Sequence, residues 1–304
     1  MKNILFCLSN LSLPYVITLI NDKKMNKFLI ITSNKQIYKF LTKIYLKKNV
    51  EYVAPFSFIP KRGIRLFLLP LYIIKIYIRK YSVWKKYKKY KNQNVYFFFN
   101  TAAFLSAWLI YKLSKSNSIF YKEDIDLSSY PIKKKKLLEK LSIVFIKYLY
   151  NQEVCPINQG AGIVSYKIDN QFLDKIRANT IDIKLDYMKI TEWVGSSIIL
   201  PKGDVLMLTE YMEERCVSLT DHIKISDELI SMLNSINLET HIKSHPRSDK
   251  KYSLEKTLIE VPKYIPASFL LNYSVFISYM SSALVEAANQ NIISIILWRQ
   301  QIRI

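Results

Sequence analysis

The sequence predicts an α/β protein with two doubly wound parallel sheets, one in each of two domains that face a cleft. Three observations predict it. Apolar strand-like runs and helical patterns alternate strictly through the first half of the chain. A stretch with little periodicity follows, roughly residues 151–200, and then a second alternation begins. Strand and helix in strict alternation imply parallel strands with helices on both faces.

The first domain is expected over residues 1–190. Its strands read at 3–9 (NILFCLS), 27–33 (KFLIITS), 50–56 (VEYVAPF), 94–100 (NVYFFFN) and 118–124 (SIFYKED). Helical patterns lie at 11–22, 35–47, 64–90, 101–114 and 132–150. The uncharged run 95–111 falls just short of a membrane-spanning helix and divides at Asn100–Thr101 into an aromatic strand and an Ala/Leu helix with a Thr cap. Residues 151–200 read as an irregular crossing segment, with two of the five glycines in CPINQGAGIVSYKIDNQ. The second domain, 191–304, reads as strand 204–209, helix 226–236, strands 238–244 and 257–261, short helix 266–271, strand 274–279, helix 281–290 and strand 291–297. Proteins with two such domains often close with a helix that crosses back to the first. A shortened version of that plan is expected here.

Composition narrows the function. Half of the 304 residues are apolar, enough for a sizeable core. With five glycines there is no GxGxxG or GxxxxGK[ST] phosphate loop. The net charge of +21 reflects either a generally Lys-rich composition or an anionic partner: nucleic acid, a membrane surface or an acidic substrate. The basic runs at 84–94 and 133–136 are either solvated helix faces or contacts to anionic lipid headgroups. Nucleic acid is the less expected partner, since no nucleic-acid-binding module is readable. Cys7, Cys155 and Cys216 are far apart, which fits reduced cytosolic thiols and no metal site. The opening MKNILFCLSNLSLP reads as a first strand rather than a signal peptide.

The stretch THIKSHPRSD carries the first candidate chemistry. Pro246 pushes His245 toward extended backbone just where strand 238–244 ends. Ligands of open parallel sheets bind beyond the carboxyl ends of the strands, so the imidazole is expected at the rim of the crevice. Lys243 and Arg247 add positive charge suited to an anion. Ser281 and Ser282 open the helix after strand 274–279, either as caps alone or also as hydroxyl and N–H donors to a phosphate. Both turns belong to one edge of one sheet and together describe a phosphate site. Glu123 and Asp124 end a strand of the first domain, either as an exposed acidic loop or as a general base facing the cleft. Glu286, one helical turn beyond the serines, and the turn YIPAS at 264–268 are candidates for reading the nucleotide.

The HP pair, the later strand–SS–helix element and the earlier acidic pair resemble bacterial sialyltransferases of the GT-B type. The likeness is to the lipooligosaccharide sialyltransferases of glycosyltransferase family 52 and the capsular polysialyltransferases. There the acidic motif reads [DE]-[DE]-G and supplies the base, while the HP histidine and the serine pair hold the CMP phosphate. Carried over by motif, these are Glu123–Asp124, His245, Ser281 and Ser282, and Tyr130 resembles a tyrosine that often follows the acidic pair. Ile125 stands where that family has glycine. The resemblance implies inverting, metal-independent transfer of sialic acid from CMP-sialic acid to a lipooligosaccharide or capsular glycan acceptor, with no cofactor. It also implies a cytoplasmic protein on the inner face of the bacterial plasma membrane. CDP-glycerol-type polymer transferases carry similar elements. A non-catalytic glycan- or nucleic-acid-binding protein on a degenerate transferase scaffold is the reading from another class.

Overall fold

A computed structural model describes residues 2–54, 69–99, 104–123, 170–209, 219–244, 259–278 and 281–297. The chain divides into two compact units, Met1–Leu185 and Asp186–Ile304.

The first unit runs β1 (Asn3–Phe6), α1 (Ser12–Asp22), β2 (Phe28–Thr32), α2 (Lys35–Ile44), β3 (Val50–Tyr52), α3 (Leu69–Tyr87), β4 (Asn94–Phe99), α4 (Phe104–Ser114), β5 (Ser118–Glu123), α5 (Asn170–Ile176) and β6 (Asn179–Thr180). All pairings are parallel and the strand order is β3-β2-β1-β4-β5-β6. The central strands β1, β2 and β4 are apolar with little alternation because both faces are covered. Ile4, Phe6, Leu29, Ile31, Val95 and Phe97 pack with α3, α4 and α5 on one face. On the other, Tyr15 of α1 stacks on Phe98 with ring centres 5.7 Å apart, and Tyr45, the residue closing α2, meets Phe28 edge-on at 5.2 Å.

The second unit runs α6 (Tyr187–Gly195), β7 (Gly203–Leu208), α7 (Leu219–Ser235), β8 (Thr240–Lys243), β9 (Ile259–Glu260), β10 (Tyr273–Ser278), α8 (Ser282–Ala288) and β11 (Ile293–Ile296). Its parallel order is β11-β10-β7-β8-β9. Both sheets start in the middle, grow to one side, then return and grow to the other, which is the doubly wound Rossmann order. Each unit thus has the doubly wound parallel sheet that the sequence predicted.

Local chemistry explains the element ends. Asn34 caps α2 by accepting from the backbone N–H of Gln36 at 2.8 Å and of Ile37 at 3.3 Å. Asp186 caps α6 by accepting from Lys189 N–H at 3.1 Å. The helix-to-strand turns hold left-handed residues: Lys24, Asn92, Arg177, Asn237 and Asn291 have φ between 45° and 60°. Four of these close a helix with paired bonds to its last carbonyls, as where Asn237 donates to Asn234 and Leu238 to Leu233. In a glycine-poor chain asparagine takes much of this role, because its short polar side chain tolerates the left-handed region.

Several expectations differ from the structure, the short helix 266–271 among them, which is a 3-10 turn at Ala267–Phe269. The helix expected at 226–236 begins at Leu219, seven residues earlier. The helix expected over 35–47 ends at Ile44, and a separate 3-10 turn forms at Lys47–Asn49. The segment expected to be irregular holds α5, β6 and α6, of seven, two and nine residues. Elements of one or two turns are too short for a hydrophobic period to stand out. The expected helix 132–150 lies outside the described residues.

Candidate functional site

In the second sheet the strand order reverses between β7 and β10, and the crevice at their carboxyl ends is the topological switch point. Ser278, Leu208 and Lys243 end β10, β7 and β8 in register. They form one row across the rim, its outer members roughly 10 Å apart by the usual strand spacing.

Ser278 is fully buried and its hydroxyl has no hydrogen-bond partner among the described residues. An unpaired buried hydroxyl is costly, so one at a switch point marks a place where a polar ligand atom would be stabilised. Three residues on, Ser281 stands at the N-cap of α8 with extended backbone, and its Oγ accepts from Ala283 N–H at 3.3 Å. Accepting leaves the hydroxyl's own hydrogen to donate elsewhere. Ser282 is the first residue of α8, and its side chain lies outside the described residues.

Lys243 is buried, and its ammonium donates to the carbonyls of Pro262 and Lys263, each at 3.3 Å. Burial pulls its pKa down to about 8; Glu260 opposes that shift and Lys263 adds to it. Two of its three protons thus tie β8 to the chain after β9, and one remains for other use. The next residue, Ser244, is also buried and donates to Glu260 Oε1 at 2.8 Å. The backbone is therefore anchored twice immediately before His245. His245 and Arg247 lie outside the described residues. In α8, burial pushes the Glu286 carboxyl up to about 7, so it changes charge near neutral pH.

In the first sheet Glu123 ends β5 at its carboxyl edge, while its side chain, Asp124 and Tyr130 lie outside the described residues. The switch point there, after β1, is a tight buried turn. Ser12 Oγ donates to Ser9 O at 2.8 Å, and Ser12 N–H donates to Ser9 Oγ at 3.1 Å.

The structure thus brings Lys243 and Ser281 to one sheet edge, and adds Ser278, Ser244 and Glu260, which sequence reading passed over. Ser278 had a visible signal: it is the polar end of the otherwise apolar strand tail in YSVFIS. The Ser244–Glu260 pair had none, because its members are sixteen residues apart.

No protein-family model matches the chain, and no curated protein matches it. Among solved structures it is similar to the UDP-GlcNAc 2-epimerase from Methanocaldococcus jannaschii, at 14% identity and a TM-score of 0.48, covering 100% of this chain and 85% of that one. It is also similar to the UDP-GlcNAc 2-epimerase from Neisseria meningitidis bound to UDP-GlcNAc, at 14% identity and a TM-score of 0.45, covering 100% and 84%. A third is the glycosyltransferase of kitacinnamycin, at 11% identity and a TM-score of 0.42, covering 98% and 80%.

Proposed function

We propose that this protein is a glycosyltransferase using a nucleotide-activated sugar, and that its reaction is sialyl transfer from CMP-sialic acid to a bacterial surface glycan. One observation carries the reading. The carboxyl edge of the second sheet carries the Ser278 hydroxyl, unpaired among the described residues, and the Ser281 cap after β10, and two strands away Lys243 and the segment that leads into His245. Hydroxyls, a cation and an imidazole at such a rim suit the phosphate of a nucleotide.

In this reading His245, Arg247 and the Ser281–Ser282 turn stabilise the charge that gathers on the departing CMP phosphate. A carboxylate of Glu123 or Asp124 takes the proton of the acceptor hydroxyl, which attacks the anomeric carbon from the opposite face and inverts it. The bond from that carbon to the phosphate oxygen breaks through an oxocarbenium-like transition state, by analogy with glycoside cleavage. The catalyst's charges are all side chains of this chain. The acceptor stands at an anionic cytoplasmic leaflet, where the net charge of +21 favours the protein.

The test is a screen of nucleotide sugars for binding and hydrolysis. CMP released from CMP-sialic acid supports the reading. CMP released from CDP-glycerol instead assigns the chain to the polymer transferases. Glycan or RNA binding without any turnover assigns it to the non-catalytic class.

A further inference from the structure

Helix α3 has two faces, and among the described residues only one is packed against the rest of the unit. Ile76, Val83 and Tyr87 are buried against the first sheet, with Ile73 and Trp84 packed beside them. Tyr87 also bonds Glu51 of β3, and Lys86 pairs with the same carboxylate at 2.9 Å. The helix is therefore held firmly by that side. On the other side Leu71, Ile74, Tyr77, Ile78 and Tyr81 are between 53% and 68% exposed. Leu71, Ile74, Ile78 and Tyr81 recur at alternating three- and four-residue steps, which places them on one stripe. The same stripe continues into exposed Lys85 and Lys88, and exposed Lys75 borders it.

A stripe of this kind needs a partner, because aliphatic and aromatic side chains gathered on a helix face lose solvent-facing area favourably. The charge says which partner. The α3 sequence has no acidic residue. A second copy docking on this face would set lysine against lysine, and the chain's own 132–150 segment, with six lysines and one glutamate, would do the same. Nucleic acid would match the charge but gives Leu71, Ile74 and Ile78 no apolar surface to enter. An anionic bilayer offers both: acyl chains for the stripe and headgroup phosphates for the lysines.

We propose that the solvent-facing stripe of α3 is a docking surface for an anionic lipid bilayer, with Leu71, Ile74, Ile78 and Tyr81 entering the interface and Lys85 and Lys88 meeting the headgroups. This rests on the glycosyltransferase reading only in that docking would bring the enzyme to a membrane-borne acceptor.

The experiment measures partitioning of the full chain onto vesicles of phosphatidylcholine, with and without phosphatidylglycerol, in the absence of any nucleotide sugar. Wild type should partition onto the anionic vesicles and detach as salt rises. The double variant Ile74→Ser/Ile78→Ser should bind about tenfold more weakly or worse, with an unchanged circular dichroism spectrum. The variant Lys85→Gln/Lys88→Gln should lose about fivefold per lysine on anionic vesicles only, the factor that matches about 1 kcal/mol for each charge near the surface. Vesicle binding that is absent in wild type, or untouched by the isoleucine substitutions, overturns the proposal. So does a wild-type dimer that those substitutions split, a fold that they unravel, or RNA binding that they abolish. CMP release with a soluble acceptor is assayed separately, so a wild-type protein that turns over without docking refutes this surface alone, and one that docks without turnover refutes only the catalytic reading.

Discussion

The phenol of Tyr273 and the Nδ1 of His241 meet at 2.6 Å in the interior of the second unit, from strands β10 and β8 that are not neighbours. The strand between them makes room. A Cβ on Gly203 of β7 would stand 3.2 Å from Tyr273 Cε1, 3.3 Å from the Glu239 carbonyl and 3.4 Å from His241 Cε1. The other ring nitrogen of His241 faces Glu239 Oε1 at 3.0 Å. A glycine here is required by the close approach.

Gly203→Ala should therefore destabilise the protein by about 1–3 kcal/mol, since backbone as well as side chain must yield. Tyr273→Phe should cost about 1–3 kcal/mol by leaving a buried ring nitrogen unpaired. The two losses should not add, because each disturbs the same contact. Urea unfolding of both single variants and the double variant checks this.

Two buried ionisable groups give the stability a defined pH dependence. Glu286 titrates near 7 in the folded chain against 4.5 as its ordinary value. Between those values the unfolded chain has lost the proton and the folded chain keeps it, so stability falls as pH rises. Lys243 titrates near 8 folded against 10.5 ordinarily. Between those values the unfolded chain holds the proton and the folded chain has released it, so stability rises with pH, by about 3 kcal/mol. A minimum between pH 7 and 8 is the expected profile. Glu286→Gln should flatten its acid arm and Lys243→Met its alkaline arm, read from unfolding midpoints across pH.

The left-handed turn at Asn237 separates steric from chemical effects. Asn237→Val should cost about 1–2 kcal/mol, because a β-branched side chain collides with its own carbonyl at a φ of 59°. Asn237→Gly should be close to neutral, as relief of that strain offsets glycine's larger entropy loss. Thermal unfolding distinguishes the two variants.

The proposed transfer is probed at His245 and at the segment that precedes it. His245→Ala should lose on the order of 100- to 1,000-fold in kcat for CMP release while folding normally. Ser244→Ala removes the bond to Glu260 without touching the reacting atoms, so it acts by positioning. It should lower kcat with little change in KM, and Ser244→Thr, which keeps the hydroxyl, should recover most of it. Comparing Asp124→Asn with Glu123→Gln identifies the base, as the slower variant with an altered pH profile.

Much of the fold was legible along the chain. Every described strand except β6 overlaps a run that reads as a strand in the sequence, most plainly β1, β2 and β4, because a strand covered on both faces must be apolar throughout. The serine at the head of α8 was legible for a similar reason, since a cap serves the backbone a few residues away. The seven-residue early start of α7 was not, as its first turns carry Thr220, Asp221 and Lys224 rather than an apolar period.

The sequence by itself determined what depends on neighbours in the chain: two α/β units, the turns at strand ends, the caps, and the lysine-rich surface. Only the tertiary structure decided which distant groups meet. It turned the Lys243 ammonium toward the carbonyls of Pro262 and Lys263, set Ser244 against Glu260, left the Ser278 hydroxyl unpaired among the described residues, and closed Tyr273 on His241 over Gly203. Hydrophobic period reports whether a side chain is buried, and burial is a property of one residue. Hydrogen bonds and ion pairs are properties of two, and their geometry exists only once the strands have taken their order in the sheet.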